Sequence, residues 1–92
     1  MAGPVYIADP AEALRAFELD GLTAVFHRPS GMTHILAAPA PQILAALAGA
    51  PGDAAQIVER MAETFEVEAE DTVAAIEARL GELEAAGLVR RA

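Results

Sequence analysis

The dipeptide Asp20-Gly21 constrains the fold of this chain more than any other local feature. A two-residue type I′ turn requires positive φ at both central positions, and Asp-Gly is one of the few pairs that adopt it readily. The dipeptide therefore predicts an antiparallel hairpin in which Leu19 lies opposite Leu22. A second turn, Arg28-Pro29-Ser30-Gly31, leads into a third strand over Met32–Leu36, because proline presets φ and glycine tolerates the left-handed region.

The alternation of β-strands sorts the residues of this three-stranded meander onto two faces. The sheet is expected to span about residues 14–37, with His27 opposite Met32. One face is predicted to be the core face and collects Phe17, Leu19, Leu22, Ala24, Phe26, Ile35 and Ala37. The other face is mixed and is expected to contact solvent, and it collects Glu18, Thr23, Val25, His27, Met32 and His34.

After Pro39 the hydrophobic period changes to that of α-helices. Pro41 suits the first turn of a helix, Asp53 and Gln56 form a capping-box pattern, and Gly87 suits the position just after a helix. These signals predict helices at about 41–48, 54–65 and 69–86. An earlier segment, Val5-Tyr6-Ile7, is a short extended candidate whose role the sequence leaves open.

The predicted fold class is therefore α+β, a three-stranded antiparallel meander followed by three helices, winged-helix-like, in a single domain over residues 1–92. Its core is expected to include Phe26, Ile35, Leu44, Met61, Phe65, Ile76 and Leu80.

Charge and composition argue against several classes of partner and site. Fourteen acidic residues stand against six arginines and no lysine, for a net charge of −8, which disfavours a nucleic-acid partner. The absence of cysteine excludes disulfides, thiol nucleophiles and thiolate metal sites. No apolar run is long enough to span a bilayer, and no basic segment precedes an apolar one at the amino terminus. The expected location is cytoplasmic, without a membrane partner.

Three polar residues are candidates for a functional site. His27 and His34 fall on one face of the meander, but a metal site needs further ligands, so a polar sheet surface is the favoured interpretation. His34 could instead contact a partner. Ser30 lies near both histidines, yet the sequence places neither a base nor an orienting carboxylate within reach of a turn serine, which favours a role in the turn. No catalytic residue, metal site or cofactor is predicted.

Several segments resemble a known family. The run from Phe26 to Leu36, the pair Ile43-Leu44 and the closing Leu80-x-x-Leu83-x-x-x-Gly87-Leu88-Val89 are similar to the PqqD family. Within it, Ser30-Gly31-x-Thr33-His34-x-Leu36 resembles the subgroup called HPr-related system A PqqD-like peptide chaperones. The resemblance covers about residues 15–90.

The resemblance implies a non-catalytic peptide chaperone with a winged-helix-like fold. A leader peptide would add as an extra strand beside the third strand, enter a groove beside the third helix, and be presented to a peptide-modifying enzyme. Carried onto this chain, the implied peptide-binding residues are Met32, Thr33, His34, Ile35, Leu36, Thr72, Ala75, Ile76 and Arg79. The chain departs from the family at Ala75, where many members carry aspartate. The expected oligomeric state is a monomer or weak dimer.

Physical chemistry supports strand addition independently, because the last strand of a linear meander leaves N–H and C=O groups unpaired along its open edge. The sequence does not determine which residues of Met32–Leu36 point those groups outward. The alternative function is a winged-helix DNA-binding regulator, but its recognition helix would begin with the acidic segment Glu70–Glu77.

Overall fold

The computed structural model describes residues 3–64 and 72–92. Its elements, in chain order, are β1 (Tyr6–Ala8), a 3-10 helix (Ala11–Ala13), β2 (Leu14–Leu19), β3 (Leu22–His27), β4 (Met32–Ala37), α1 (Ala40–Ala48), α2 (Ala54–Thr64), α3 (Val73–Ala85) and β5 (Val89–Arg91). The predicted α+β fold, a three-stranded antiparallel sheet followed by three helices, is confirmed. Phe65 and the predicted start of the third helix at 69–71 lie outside the described residues.

The meander has the predicted register. Asp20 and Gly21 have φ values of 46° and 83°, as a type I′ turn requires, and Leu19 pairs with Leu22. At the second turn His27 pairs with Met32. The strand order is β2-β3-β4, so β2 and β4 are the two edges of this sheet in the described part of the chain.

The predicted core face of the meander is wrong, because the opposite face packs against the helices. Val25 and His27 are buried, and Leu14 and Leu36 pack against the helical core. The face predicted to be buried is exposed instead, including Phe26 at 37% and Ile35 at 59%. Alternation separates the two faces but does not say which one α1 covers. The course of the chain between β4 and α1 decides that, and it carries no hydrophobic signal.

We call the exposed side the apolar sheet face, and its large side chains are Phe17, Leu19, Leu22, Phe26 and Ile35.

The helical part of the core is as predicted. Leu44, Met61, Ile76 and Leu80 are all buried. They belong to one cluster that also takes in residues of α1, α2, α3 and the two terminal strands: Tyr6, Ile43, Leu47, Ile57, Leu83, Leu88 and Val89.

The helix ends also follow the sequence. The backbone N–H of Asp53 donates to Gln56 Oε1, and the N–H of Gln56 donates to Asp53 Oδ1, both at 2.9 Å, which is a reciprocal capping box. At the end of α3, Gly87 has φ 82°, and the N–H of Leu88 donates to the carbonyl of Leu83 at 3.0 Å. This is a Schellman end, formed at the glycine that the sequence places just after the helix.

A second small sheet joins the two ends of the described chain. Of the extended segment predicted at Val5-Tyr6-Ile7, Tyr6 and Ile7 lie in β1, which pairs antiparallel with β5. Strand β5 was not predicted, because its three residues follow the helix end at Gly87 too closely to show an alternation of their own. Tyr6 and Gly52 also exchange backbone hydrogen bonds of 2.9 and 3.1 Å, which ties β1 to the α1–α2 connection.

Among residues 3–64 and 72–92, the longest helix has 13 residues, and none is long and apolar enough to cross a membrane.

Candidate functional site

The outward-facing backbone groups of β4 follow from the register of the sheet. In a two-residue hairpin the flanking pair, here Leu19 and Leu22, exchanges backbone hydrogen bonds, and every second pair does so after it. The backbone N–H and C=O groups of residues 22, 24 and 26 in β3 therefore point to β2, and those of residues 23, 25 and 27 point to β4. Their partners in β4 are Leu36, His34 and Met32. The N–H and C=O groups of Thr33, Ile35 and Ala37 consequently point away from β3, toward the open edge.

This open edge borders a groove between β4 and the second half of α3. The groove has a volume of about 280 Å³. Its walls are Ile35, Leu36, Ala37, Ala38, Ala40, Arg79, Glu82, Leu83 and Ala86. Most of these side chains are small or apolar, and Arg79 is the cation among them. Its Nε lies 3.1 Å from Glu82 Oε2, with both side chains about half exposed. Such an exposed pair contributes little stability and can rearrange around a ligand.

The structure brings some of the predicted peptide-binding residues together and separates others. Ile35, Leu36 and Arg79 meet in the groove. Thr72 lies at the far end of α3, where its Oγ1 accepts a hydrogen bond of 3.2 Å from the N–H of Ala75 as the helix cap. Ile76 is fully buried in the core and therefore has no surface to offer a ligand.

The remaining predicted residues lie along β4. Met32 and Thr33 are exposed, and His34 is half-buried on the helix-facing side of the sheet. The Nε2 atom of His34 is buried without a hydrogen-bond partner among the described residues. The side chain of His34 therefore lies on the helix-facing side of the sheet and not at the open edge of β4.

Three further groove residues were not predicted from the sequence. They are Glu82 and Leu83 of α3 and Ala86, which directly follows the helix. They continue the helix face of Arg79 at steps of three, four and seven residues. The predicted wall, Thr72 to Arg79, occupies the first half of that same face. A signal was thus present in the helical spacing, but sequence did not show that β4 passes beside the second half of α3.

The structure overturns the expectation that Ser30 has neither a base nor a carboxylate within reach. His27 Nδ1 lies 2.8 Å from Ser30 Oγ, and His27 Nε2 lies 2.6 Å from Asp9 Oδ2. With its proton on Nε2, the ring donates to Asp9 and accepts the Ser30 hydroxyl. The predicted solvent exposure of His27 is also wrong, since only 6% of the residue is accessible.

The Asp9-His27-Ser30 chain has the connectivity of a hydrolase triad but the surroundings of a structural brace. Ser30 Oγ also accepts a hydrogen bond of 3.3 Å from the N–H of Met32, and Ser30 does not line the groove between β4 and α3. Arg90 of β5 lies 3.5 Å from the other oxygen of Asp9. The three residues thus join the β3–β4 turn to the terminal sheet and hold the start of β4 in place.

Replacing Asp9 by alanine is expected to lower the free energy of unfolding by about 1–3 kcal/mol, because it leaves the buried Nε2 of His27 without an acceptor. Asp9→Asn keeps an acceptor oxygen at the same place and is expected to lose less. Urea unfolding followed by circular dichroism measures both variants. Equal losses in the two would show that the charge, and not the hydrogen bond to His27, stabilises the brace.

No group of three or more His, Asp or Glu side chains arranged to hold a metal ion occurs within residues 3–64 and 72–92. The two histidines share the helix-facing side of the sheet, but His27 is already engaged by Asp9 and Ser30.

One comparison with known proteins finds a match. Residues 23–89 match the family model described as "Coenzyme PQQ synthesis protein D (PqqD)", which covers most of the chain. A search of curated proteins and a search of solved structures found no significant match. The matched region begins in β3 and contains β4, the three helices and therefore both sides of the groove.

Proposed function

Since the chain belongs to the PqqD family, we propose that it is a non-catalytic chaperone that binds a precursor peptide and presents it to a peptide-modifying enzyme. The observation that carries the proposal is the open edge of β4, with the backbone groups of Thr33, Ile35 and Ala37 directed outward beside the groove. An edge strand next to a side-chain groove is the arrangement by which proteins bind extended peptides.

The peptide would bind in two ways at once. Its backbone would pair with the outward groups of β4 and extend the sheet to four strands, which provides affinity without reading sequence. Every second side chain would point to the helix side of the sheet and enter the groove. The walls formed by Leu36, Leu83 and Ala86 suit apolar side chains, and Arg79 would attract a carboxylate if it exchanges its partner Glu82.

The same geometry supports a function in binding and presentation of a peptide. Within the described residues, the groove walls contain no serine, threonine or histidine that could act as nucleophile or base, and their one carboxylate, Glu82, is paired with Arg79. A peptide held along one edge keeps its remaining length free, so an enzyme can act on a segment outside the bound strand.

The DNA-binding alternative has no support from the site. Two of the arginines near the end of the chain, Arg79 and Arg91, are paired with Glu82 and Glu84, and the net charge is −8. Phosphate groups would meet repulsion at this surface.

Titration of the isotopically labelled protein with a peptide encoded beside its gene tests the proposal. We expect amide chemical-shift changes along Met32–Ala37 and at residues 79–86 of α3, with slowed hydrogen exchange at Thr33, Ile35 and Ala37. The matched control is the same peptide N-methylated at alternate positions, which removes ladder donors while keeping the side chains. Changes confined to α1 and α2, with β4 silent, would contradict strand addition.

A further inference from the structure

We propose that the apolar sheet face is an interface with a second copy of this chain, in which two sheets pack face to face about a two-fold axis. This inference is independent of peptide binding at β4. It rests on the size of the face, on two arginines that have no carboxylate partner among residues 3–64 and 72–92, and on the placement of charges at the ends of the sheet.

The apolar sheet face is large for a protein of 92 residues. Its five large side chains are between 37% and 59% exposed. Together they present on the order of 500 Å² of apolar surface, taking roughly 200 Å² for a fully exposed Phe or Leu. That is near the upper end of what monomers expose, and the flanking Ala24, Thr33 and Ala37 bring it toward the roughly 800 Å² per partner of an ordinary interface.

Two arginines near this face differ from the others. Arg79, Arg90 and Arg91 each lie within 3.5 Å of a carboxylate, and Arg60 donates to the carbonyls of Ala46, Ala50 and Pro51. Among the described residues, the side chains of Arg15 and Arg28 have neither kind of partner.

The charges at the ends of the sheet are opposite. Arg15 pairs with Phe26 in the sheet, and the N–H of Arg28 donates to Ala13, so both arginines lie at the β3–β4 turn end. Asp20 occupies the turn at the other end. The face therefore has two arginines at one end, where Glu12 of the 3-10 helix also lies, an apolar middle, and an aspartate at the other end.

This arrangement is complementary to itself. A two-fold axis that lies in the plane between the sheets and perpendicular to the strands places the arginine end of one copy over Asp20 of the other. An axis parallel to the strands would bring like charges together instead. Stacked sheets lie about 10 Å apart, so the long side chain of an arginine on one copy can reach toward Asp20 of the other. Under this symmetry β4 lies over β4 of the second copy, so both β4 edges remain open on one side of the dimer.

The expected association is weak. The net charge of −8 on each copy opposes approach, although screening over about 8 Å at physiological salt limits that repulsion to nearby charges. A small apolar interface with two rim ion pairs gives a dissociation constant in roughly the micromolar range.

Sedimentation velocity of the full chain from about 5 μM to 1 mM tests the dimer over the expected range of affinity. We expect a monomer–dimer equilibrium that Phe17→Glu weakens by roughly 100-fold or more, because it buries a carboxylate in the interface. Leu22→Lys is a second variant of the same face. The matched control is Val73→Glu, which adds the same charge at an equally exposed apolar residue of α3 and should leave the equilibrium unchanged.

The charges are tested by a double-mutant cycle. Arg15→Gln and Asp20→Asn are each expected to weaken dimerisation by roughly 3- to 10-fold, and the double variant no more than the worse single one. Asparagine tolerates the positive φ of residue 20, so the turn is retained. A protein that stays monomeric to 1 mM would overturn the proposal. So would a dimer that survives Phe17→Glu but dissociates with Ala16→Pro, since that dimer would form through the β2 edges.

Discussion

Replacing Leu80 by alanine is expected to lower the free energy of unfolding by about 2–5 kcal/mol. Leu80 is fully buried at the centre of α3, in the cluster that joins the helices to the terminal strands. Removing its three outer carbons leaves a cavity that the surrounding side chains fill only partly, so lost transfer energy and lost packing add. A domain of this size has only about 5–15 kcal/mol of stability in total, so the variant would lose a large part of it.

Val73→Ala is the matched control, because Val73 lies on the same helix and is 41% exposed. We expect it to change stability by less than about 0.5 kcal/mol, as ordinary surface substitutions do. Urea unfolding of both variants at one low protein concentration makes the comparison. A loss below about 1 kcal/mol for Leu80→Ala would show that α3 buries a different face.

Replacing Ile35 by proline is expected to abolish capture of the precursor peptide while leaving the fold largely intact. The N–H of Ile35 points to the open edge, so proline removes a donor to the added strand without removing one to β3. The preceding residue is already extended, as a residue before proline must be. Isothermal titration with the cognate peptide measures binding, and far-ultraviolet circular dichroism measures the fold.

Two controls separate the backbone donor from other effects. Ile35→Ala keeps the N–H and removes a side chain that lies on the apolar sheet face, away from the helix side of the groove, so we expect it to retain binding. His34→Pro removes an inward donor that bonds β3, and we expect it to lower the free energy of unfolding as well, by about 1–3 kcal/mol for the acceptor left without its partner. If Ile35→Pro bound the peptide as well as Ile35→Ala does, an added strand at β4 would be ruled out.

Local chemistry made much of the fold predictable. The φ requirement of Asp20-Gly21, the reciprocal cap of Asp53 and Gln56, and the left-handed glycine at Gly87 each depend on a few neighbouring residues. Features of this kind depend only on neighbouring residues and can be recognised in a single sequence. The register of the meander and the helix ends are therefore as predicted.

Contacts between residues that are far apart in the chain were harder to predict from the sequence. The sequence separated the two faces of the meander but assigned the helices to the wrong one, since Phe26 and Ile35 look like core residues by hydrophobicity alone. Asp9 meets His27 across 18 residues, and no local pattern marks that hydrogen bond. The groove position likewise depended on where β4 passes α3. Hydrophobicity alone does not distinguish an exposed apolar face from a buried one.

The pairing of β1 with β5 has a topological consequence. Arg91 lies opposite Tyr6, and the N–H of Ala92 donates to the carbonyl of Val5 at 2.9 Å, so the first and last strands leave the domain side by side. A linker of a few residues could close this gap and give a circular permutant, with new termini opened at an exposed turn such as Asp20-Gly21. By the same geometry the whole unit could be inserted into a surface loop of a host protein without pulling its ends apart.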